Sequence, residues 1–251
     1  MKYIYLFLIT LLLSGCTNSS PKVQEFFQTD NATHIQNDYR DIIKLLTKYK
    51  QKLDLRNPQS YDKQFSHYMY KEFQNSTNFL HLKEHDKYIQ DYNRYLKIAF
   101  EKDTERRNDY LVLGLYKQLW FAYEQNEAHQ ITTLSYNQEA LKTLFYTLKV
   151  IKWKINTKKD DNGNYLFLTW QNNWQVELKK RLDRGEQPTW ELIQNLKYIK
   201  NGQESLYSPS NPNFEILMSE IIFRVENSLK ILGEEPLDVS IEVMKSLVFF
   251  L

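Results

Sequence analysis

The stretch Tyr110-Leu111-Val112-Leu113-Gly114-Leu115-Tyr116, followed by Leu119-Trp120-Phe121-Ala122-Tyr123, decides the fold. Apolar residues lie almost all round the helix predicted here, over 108–124, and a helix without a polar face is enclosed by other elements. A glycine inside a helix costs about 1 kcal/mol relative to alanine. Gly114 therefore predicts a close crossing by a second helix, and the whole stretch predicts a buried central helix.

The segments on both sides of the central helix show the i, i+3, i+4, i+7 spacing of amphipathic helices. Ser60 is placed to cap the second helix. Ser135 and Gln138 form a capping box, and Pro188 suits a first helical position. The sequence therefore predicts an all-α fold of about nine helices, mostly antiparallel neighbours, in one domain over 34–251. The helices flanking the central one are expected near 34–55, 60–75, 77–102, from 135 through Ile155 to a break at 160–164, and near 167–182, 188–200, 211–232 and 238–251.

Residues 151–169 allow two structures. Apolar residues alternate with lysines over 151–155, and Asn162-Gly163 is a strong hairpin turn, so a small β-hairpin is one of them. The other is a pair of helices, because the preceding apolar stripe continues through Ile155 and residues 167–182 carry a stripe of their own. We favour the helical pair and leave the hairpin open.

The balance of charges argues against nucleic-acid binding. The 33 basic and 31 acidic residues nearly cancel, whereas binding to nucleic acid requires a strongly basic face. Only six glycines and six prolines interrupt the chain, which favours helices. Because Cys16 is the single cysteine, the chain forms no internal disulfide and offers no other thiol for catalysis.

The beginning of the chain predicts export. Lys2 precedes the apolar run 4–13, whose ten residues would span about 15 Å as a helix, about half of a bilayer core. The run therefore predicts the core of a signal peptide and not a membrane span. The residues Leu13-Ser14-Gly15-Cys16 that end it resemble the lipobox of bacterial lipoproteins.

The lipobox resemblance implies cleavage between Gly15 and Cys16 and acylation of the cysteine thiol. The expected division is a signal peptide at 1–15 and a lipidated cysteine with a flexible tether at 16–33. At about 0.8 kcal/mol per buried CH₂, two or three acyl chains give lasting attachment, so the membrane is one expected partner. Thr17 stands where enteric lipoproteins of the inner membrane carry aspartate, and this favours the periplasmic face of the outer membrane.

His81-Leu82-Lys83-Glu84-His85 spells H-x-x-E-H, which resembles the motif of inverted zinc metalloproteases. On a helix, His81 and His85 would share a face and could hold zinc, with Glu84 as the base. That family carries a further acidic ligand in a much larger catalytic domain, and no counterpart can be placed here. We therefore favour solvated surface histidines and expect no metal and no cofactor.

Trp170 and Trp174 stand four residues apart on the stripe predicted over 167–182. Tryptophans with this spacing most often belong to a core, but exposed ones could grip a partner or stack on a sugar ring. They are the first candidates for a partner or ligand surface.

The sequence contains no pattern that identifies a catalytic residue, so we do not expect an enzyme. We predict a non-catalytic protein-binding or scaffolding component of the bacterial envelope, with an envelope protein as its partner. One alternative is a ligand-binding lipoprotein that serves transport, which requires a large cavity lined by aromatic residues. The last alternative is a zinc hydrolase at His81 and His85.

Overall fold

The computed structural model describes residues 30–125, 136–207 and 212–235. Within them the chain forms nine helices and one two-stranded antiparallel hairpin, so the predicted all-α fold is confirmed. The elements in chain order are α1 (Asp30–Arg56), α2 (Lys63–Asn75), β1 (Lys83–Glu84), β2 (Lys87–Tyr88), α3 (Tyr92–Ala99), α4 (Arg107–Ala122), α5 (Gln138–Thr157), α6 (Asn173–Asp183), α7 (Trp190–Gln194), α8 (Lys197–Lys200) and α9 (Asn213–Ile231).

Some predicted features lie outside the described residues: the lipobox Leu13–Cys16, the capping residue Ser135, and the helix expected at 238–251. Helix α1 begins at Asp30, so residues 30–33, which were expected in the tether, belong to it. Among the helices described, none combines the length and the apolar character required to cross a membrane.

The central helix is confirmed as α4, which is buried along nearly its whole length. It crosses α3 at Gly114, where a Cβ atom would lie 2.9 Å from both Leu96 Cδ2 and Tyr95 Cβ. Only a residue without a side chain permits this approach, which is why the helix carries a glycine there. Helix α1 packs against α4 and α9, and α9 also packs against α5.

A buried ion-pair network joins α1, α2 and α4. The Lys50 ammonium group, which is 0% exposed, donates to Asp54 Oδ2 and to Ser66 Oγ at 2.8 Å, and lies 3.0 Å from Asp109 Oδ1. The Asn108 amide donates to the other oxygen of Asp54 at 3.0 Å. Burial raises the pKa of the Asp54 carboxyl, against the attraction of Lys50. Lys50 therefore lies between two buried carboxylates from two different helices, and Asp109 is paired with Arg106 as well, at 3.0 Å.

A second buried carboxylate joins α1 to α9. Asp38 accepts hydrogen bonds from Arg224 Nη1 at 3.2 Å, from Asn227 Nδ2 at 2.7 Å and from Ser228 Oγ at 3.2 Å. Ser228 also shares a hydrogen bond with the buried hydroxyl of Tyr123, which follows α4. Helix α9 is thereby tied to both α1 and the end of the central helix.

The single helix predicted over 77–102 is wrong for its first half. The chain at 77–91 is extended and contains the β-hairpin, whose turn residues His85 and Asp86 both have positive φ. Side chains of neighbouring helices form hydrogen bonds with backbone groups that would have paired within a helix. Glu72 accepts from Leu80 N at 2.9 Å, and the Tyr116 hydroxyl donates to the carbonyl of Thr77. A helix forms only from Tyr92.

Three helix starts differ from the prediction. The cap of α2 is Asp62, which accepts from Phe65 N at 2.6 Å, whereas the Ser60 carbonyl accepts from Asn108 N. The cap of α5 is Asn137. The helix predicted over 188–200 is divided into α7 and α8, and its cap is Thr189, directly after Pro188.

Residues 151–169 combine parts of both expected structures. The helix through Ile155 is confirmed, since α5 continues to Thr157. The hairpin is reduced to one antiparallel bridge between Lys159 and Tyr165. The second helix begins only at Asn173, so the expected helical start at residue 167 is wrong.

Lys50→Met should destabilise the fold strongly, because it leaves the carboxylates of Asp54 and Asp109 buried without their shared cation. We expect a loss of about 3–5 kcal/mol in the free energy of unfolding. The matched control is Lys48→Met, which changes an exposed lysine of the same helix and should stay within about 0.5 kcal/mol. Denaturant unfolding of both variants checks this, and equal small effects would contradict the role given to Lys50.

Candidate functional site

An open groove of about 880 Å³ lies between the end of α1, the loop before α6, and helices α6 and α8. Its walls come from residues 56–60, from 164–171 and from parts of α6 and α8. Ligand pockets in proteins typically measure about 300–1,000 Å³. The groove is therefore large enough for a small molecule or for a few residues of a peptide.

Side-chain hydrogen bonds hold the walls of the groove in place. The Asn57 amide accepts from Leu168 N at 2.9 Å and donates to Leu168 O at 3.2 Å, so it pairs with the loop as a second strand would. Glu204 accepts from Asn173 N at 3.1 Å and from Trp174 N at 2.9 Å. A carboxylate at this end of α6 is favoured by the helix dipole.

Three aromatic residues line the groove: Tyr165, Trp170 and Tyr198. Tyr165 and Trp170 meet edge to face, with ring centroids 5.7 Å apart, and Trp170 is 38% exposed. The Lys159 ammonium lies 4.5 Å from the centroid of the Tyr165 ring. The aromatic wall is therefore partly covered by its own neighbours and by a cation.

The groove is strongly cationic for a chain whose formal net charge is only +2. Its walls carry five cationic side chains and one carboxylate, Glu177. Lys179 pairs with Asp183 at 2.8 Å. By contrast, Lys159, Lys180 and Lys197 form no ion pair within the described part of the chain and are exposed to solvent. Three positive charges are thus available to a ligand.

Buried polar atoms without hydrogen-bond partners lie in the wall of the groove. Gln171 is 6% exposed, and both polar atoms of its amide are unpaired within the described residues. Arg56 donates from Nη1 to Asn173 Oδ1 at 2.7 Å, but its Nε and Nη2 are unpaired. Burial lowers the pKa of the Arg56 guanidinium. Each unpaired buried polar group costs about 1–3 kcal/mol of stability, and a ligand that supplied a partner would recover part of that cost.

The structure separates the two predicted tryptophans. Trp170 lies in the loop before α6 and lines the groove, whereas Trp174 lies in the first turn of that helix. They therefore do not share a helical stripe, and that expectation is wrong. Trp174 is half-buried, and its indole nitrogen has no hydrogen-bond partner within the described residues.

The H-x-x-E-H residues lie on the β-hairpin and its approach, not on a helix, so the shared helical face expected of the two histidines does not form. His81 Nδ1 makes a 2.9 Å hydrogen bond with the carbonyl of Ile89. Glu84 pairs with Arg94, which holds the pKa of that carboxyl below its usual value. His85 is in the turn, with its side chain 92% exposed. The part of the chain described contains no group of three or more histidine, cysteine or acidic residues that could hold a metal ion.

Two buried lysines also have perturbed protonation. Burial lowers the pKa of Lys117 and of Lys154 to about 8. Lys117 donates to Asn78 Oδ1 at 2.6 Å, and the Lys154 ammonium lies 5.4 Å from the centroid of the Phe100 ring. Neither residue lines the groove. They belong to the core.

Sequence reasoning missed Arg56 and Gln171. They are more than one hundred positions apart, and only the folded chain brings them to one groove. No pattern in the sequence indicates that residues 57–60, which follow α1, form a wall of the groove.

Comparison of the chain with protein-family models, with curated proteins and with solved structures finds no match.

Replacing the two motif histidines should have unequal effects on stability. His81→Ala should cost about 1 kcal/mol because it removes the hydrogen bond with Ile89. His85→Ala should stay within about 0.5 kcal/mol, since the side chain is solvated. Thermal unfolding with and without added zinc tests this expectation. A zinc-dependent rise in melting temperature that is lost in both variants would contradict it and would favour a metal site.

Proposed function

We propose that this protein is a lipoprotein anchored through acylated Cys16 and that its helical domain is a non-catalytic component that binds a protein partner in the bacterial envelope. The observation that supports the binding role is the open groove, whose wall contains exposed Trp170 and three unpaired lysines. Partly exposed tryptophans and arginines at a concave surface are frequent contributors to protein interfaces.

The proposed location rests on the first residues of the sequence. The lipobox-like Leu13–Cys16 supports removal of residues 1–15 and attachment of acyl chains, with palmitate as a convenient label. Thr17 supports the outer membrane, and the domain would then face the periplasm. A chain held at that surface meets partners that lie in the envelope.

A second candidate function is ligand binding in transport. The volume of the groove, about 880 Å³, and its aromatic wall are the features that this function requires. The groove is only partly enclosed, however, and its walls carry cationic side chains among the apolar ones, which fits an extended partner better than an enclosed apolar molecule.

Cys16→Ser should abolish lipid attachment, because the serine hydroxyl does not replace the thiol that is acylated. We expect no incorporation of labelled palmitate and loss of the processed chain from the membrane fraction. Labelling followed by fractionation measures both, and a silent exposed change such as Lys71→Gln serves as the control. Wild-type protein that is fully soluble and unlabelled would rule out the anchor.

Photo-crosslinking should locate the partner surface. Gln59 is exposed and lines the groove, whereas Gln90 is an exposed loop glutamine away from it. A photoreactive amino acid in place of Gln59 should give a discrete protein adduct in native envelopes, and the same residue at position 90 should not. Trp170→Ala should suppress the adduct, since it removes the exposed aromatic group of the wall.

The adducts also separate the two candidate functions. A mass increase of a few hundred daltons in place of a protein adduct would favour the transport ligand. Equal adducts from both positions, unaffected by Trp170→Ala, would show that the groove is not the binding surface.

A further inference from the structure

We infer that the groove binds an extended acidic peptide segment of a partner protein, with the carboxylates of the segment facing Lys159, Lys180 and Lys197. This inference rests on the proposed function, because it takes the groove as the binding surface. The inference adds the chemistry of the partner, which is an extended peptide rich in aspartate or glutamate.

The distribution of charge in the groove indicates that the partner is acidic. The chain as a whole is nearly neutral, yet the walls of this groove hold five cationic side chains against one carboxylate. The Glu177 carboxylate is already occupied, because it pairs with Arg181 at 3.0 Å and accepts from the Lys197 backbone. Positive charge is therefore left over, and complementary charge steers partners and selects among them.

The contacts of the aromatic residues favour a peptide over a sugar as the ligand. A sugar-binding platform needs an open aromatic face. Trp170 and Tyr165 instead pack against each other at an interplanar angle of 81°, and Lys159 covers the Tyr165 ring. The Lys197 ammonium lies 5.8 Å from the centroid of the Tyr198 ring. These cations lie over the aromatic rings, so they cover faces that a sugar would need and place positive charge where carboxylates next to apolar side chains can bind.

The unpaired polar atoms in the groove wall match the hydrogen-bonding groups of an acidic peptide. The Nη1 atom of Arg56 is taken by Asn173, so Nε and Nη2 remain as a two-donor fork, which matches a carboxylate in geometry. The Gln171 amide offers one donor group and one acceptor group, as a peptide group does. Both sets of atoms are covered by the wall, so their side chains must rotate toward the ligand. The cost of leaving them unpaired favours that rotation.

Calorimetric titration of the mature lipoprotein in detergent tests the inference. The probe is an N-acetylated, C-amidated hexapeptide that alternates glutamate and leucine, and its isostere carries glutamine in place of glutamate. We expect the acidic probe to bind about tenfold or more tightly than the isostere. Raising the salt from about 50 to about 200 mM should remove much of this difference, because exposed charges are screened.

Two sets of charge variants locate the effect. Combining Lys159→Gln, Lys180→Gln and Lys197→Gln should weaken binding of the acidic probe about tenfold. The control combines Lys48→Gln, Lys71→Gln and Lys87→Gln, which removes the same charge from exposed positions outside the groove. It should change the affinity less than about twofold, because screening at physiological salt limits long-range effects.

Gln171→Leu separates binding from stability. It removes a buried amide without partners, so the melting temperature should be unchanged or raised. The affinity for the acidic probe should nevertheless fall about fivefold, because the amide that pairs with the peptide group is gone. A fall in both quantities would mean that Gln171 has a purely structural role and would overturn this step.

The results distinguish failure of the inference from failure of the proposed function. Equal binding of the acidic and neutral probes, or equal effects of the two triple variants, would overturn the acidic peptide while the Gln59 adduct still supports a groove-bound partner. An acidic oligosaccharide that binds where the peptide does not would assign the groove to a glycan. Loss of the Gln59 adduct together with all probe binding would overturn both.

Discussion

The buried Lys50 ammonium group joins three helices at the centre of the fold. It compensates Asp54 of its own helix and Asp109 of the central helix, and it donates to Ser66 of α2. Two buried carboxylates repel each other and are costly to dehydrate, and the shared cation, together with Arg106 beside Asp109, offsets that cost. The same requirement fixes how far α1, α2 and α4 can move relative to one another. An apolar contact at this place would allow sliding, whereas charged groups with defined hydrogen bonds do not.

This network also reaches the candidate site. Asp109 accepts from the backbone of Asp62 at 2.9 Å, and the neighbouring Asn108 donates to the Ser60 carbonyl. The loop that joins α1 to α2 is thereby held against the central helix, and residues 57–60 of that loop form one wall of the groove. The Asn57 side chain in turn accepts a hydrogen bond from Leu168 N, which lies in the opposite wall of the groove. A chain of hydrogen bonds thus connects the core charge to the groove, which supports a surface prepared before a partner arrives.

The groove wall differs from the two hydrogen-bonded charge clusters of the core. Lys50 lies between two aspartates, and Asp38 accepts from Arg224, Asn227 and Ser228. In the groove wall, Arg56 and Gln171 have atoms without partners among the described residues, and Lys159, Lys180 and Lys197 form no ion pair there. Buried polar atoms without partners among the described residues also occur away from the groove, on Tyr39 and Gln118 for example. What is particular to the groove is that such atoms lie beside lysines without ion pairs, and a ligand would supply partners to both. This combination supports the proposed binding role.

The class of fold and its central helix follow from the sequence alone. The apolar stretch around Gly114 predicts a buried helix with a close crossing, and the periodic stripes predict α1, α5 and α9, because these patterns depend on neighbours within one helix. Only the tertiary structure decided the path of residues 77–91 and the start of α6. Glu72 and Tyr116 take backbone groups that local propensity would have placed in a helix, and such competition is invisible in a linear pattern. The groove could not be predicted from the sequence either, since Arg56 and Gln171 come to the same groove only after the helices have packed.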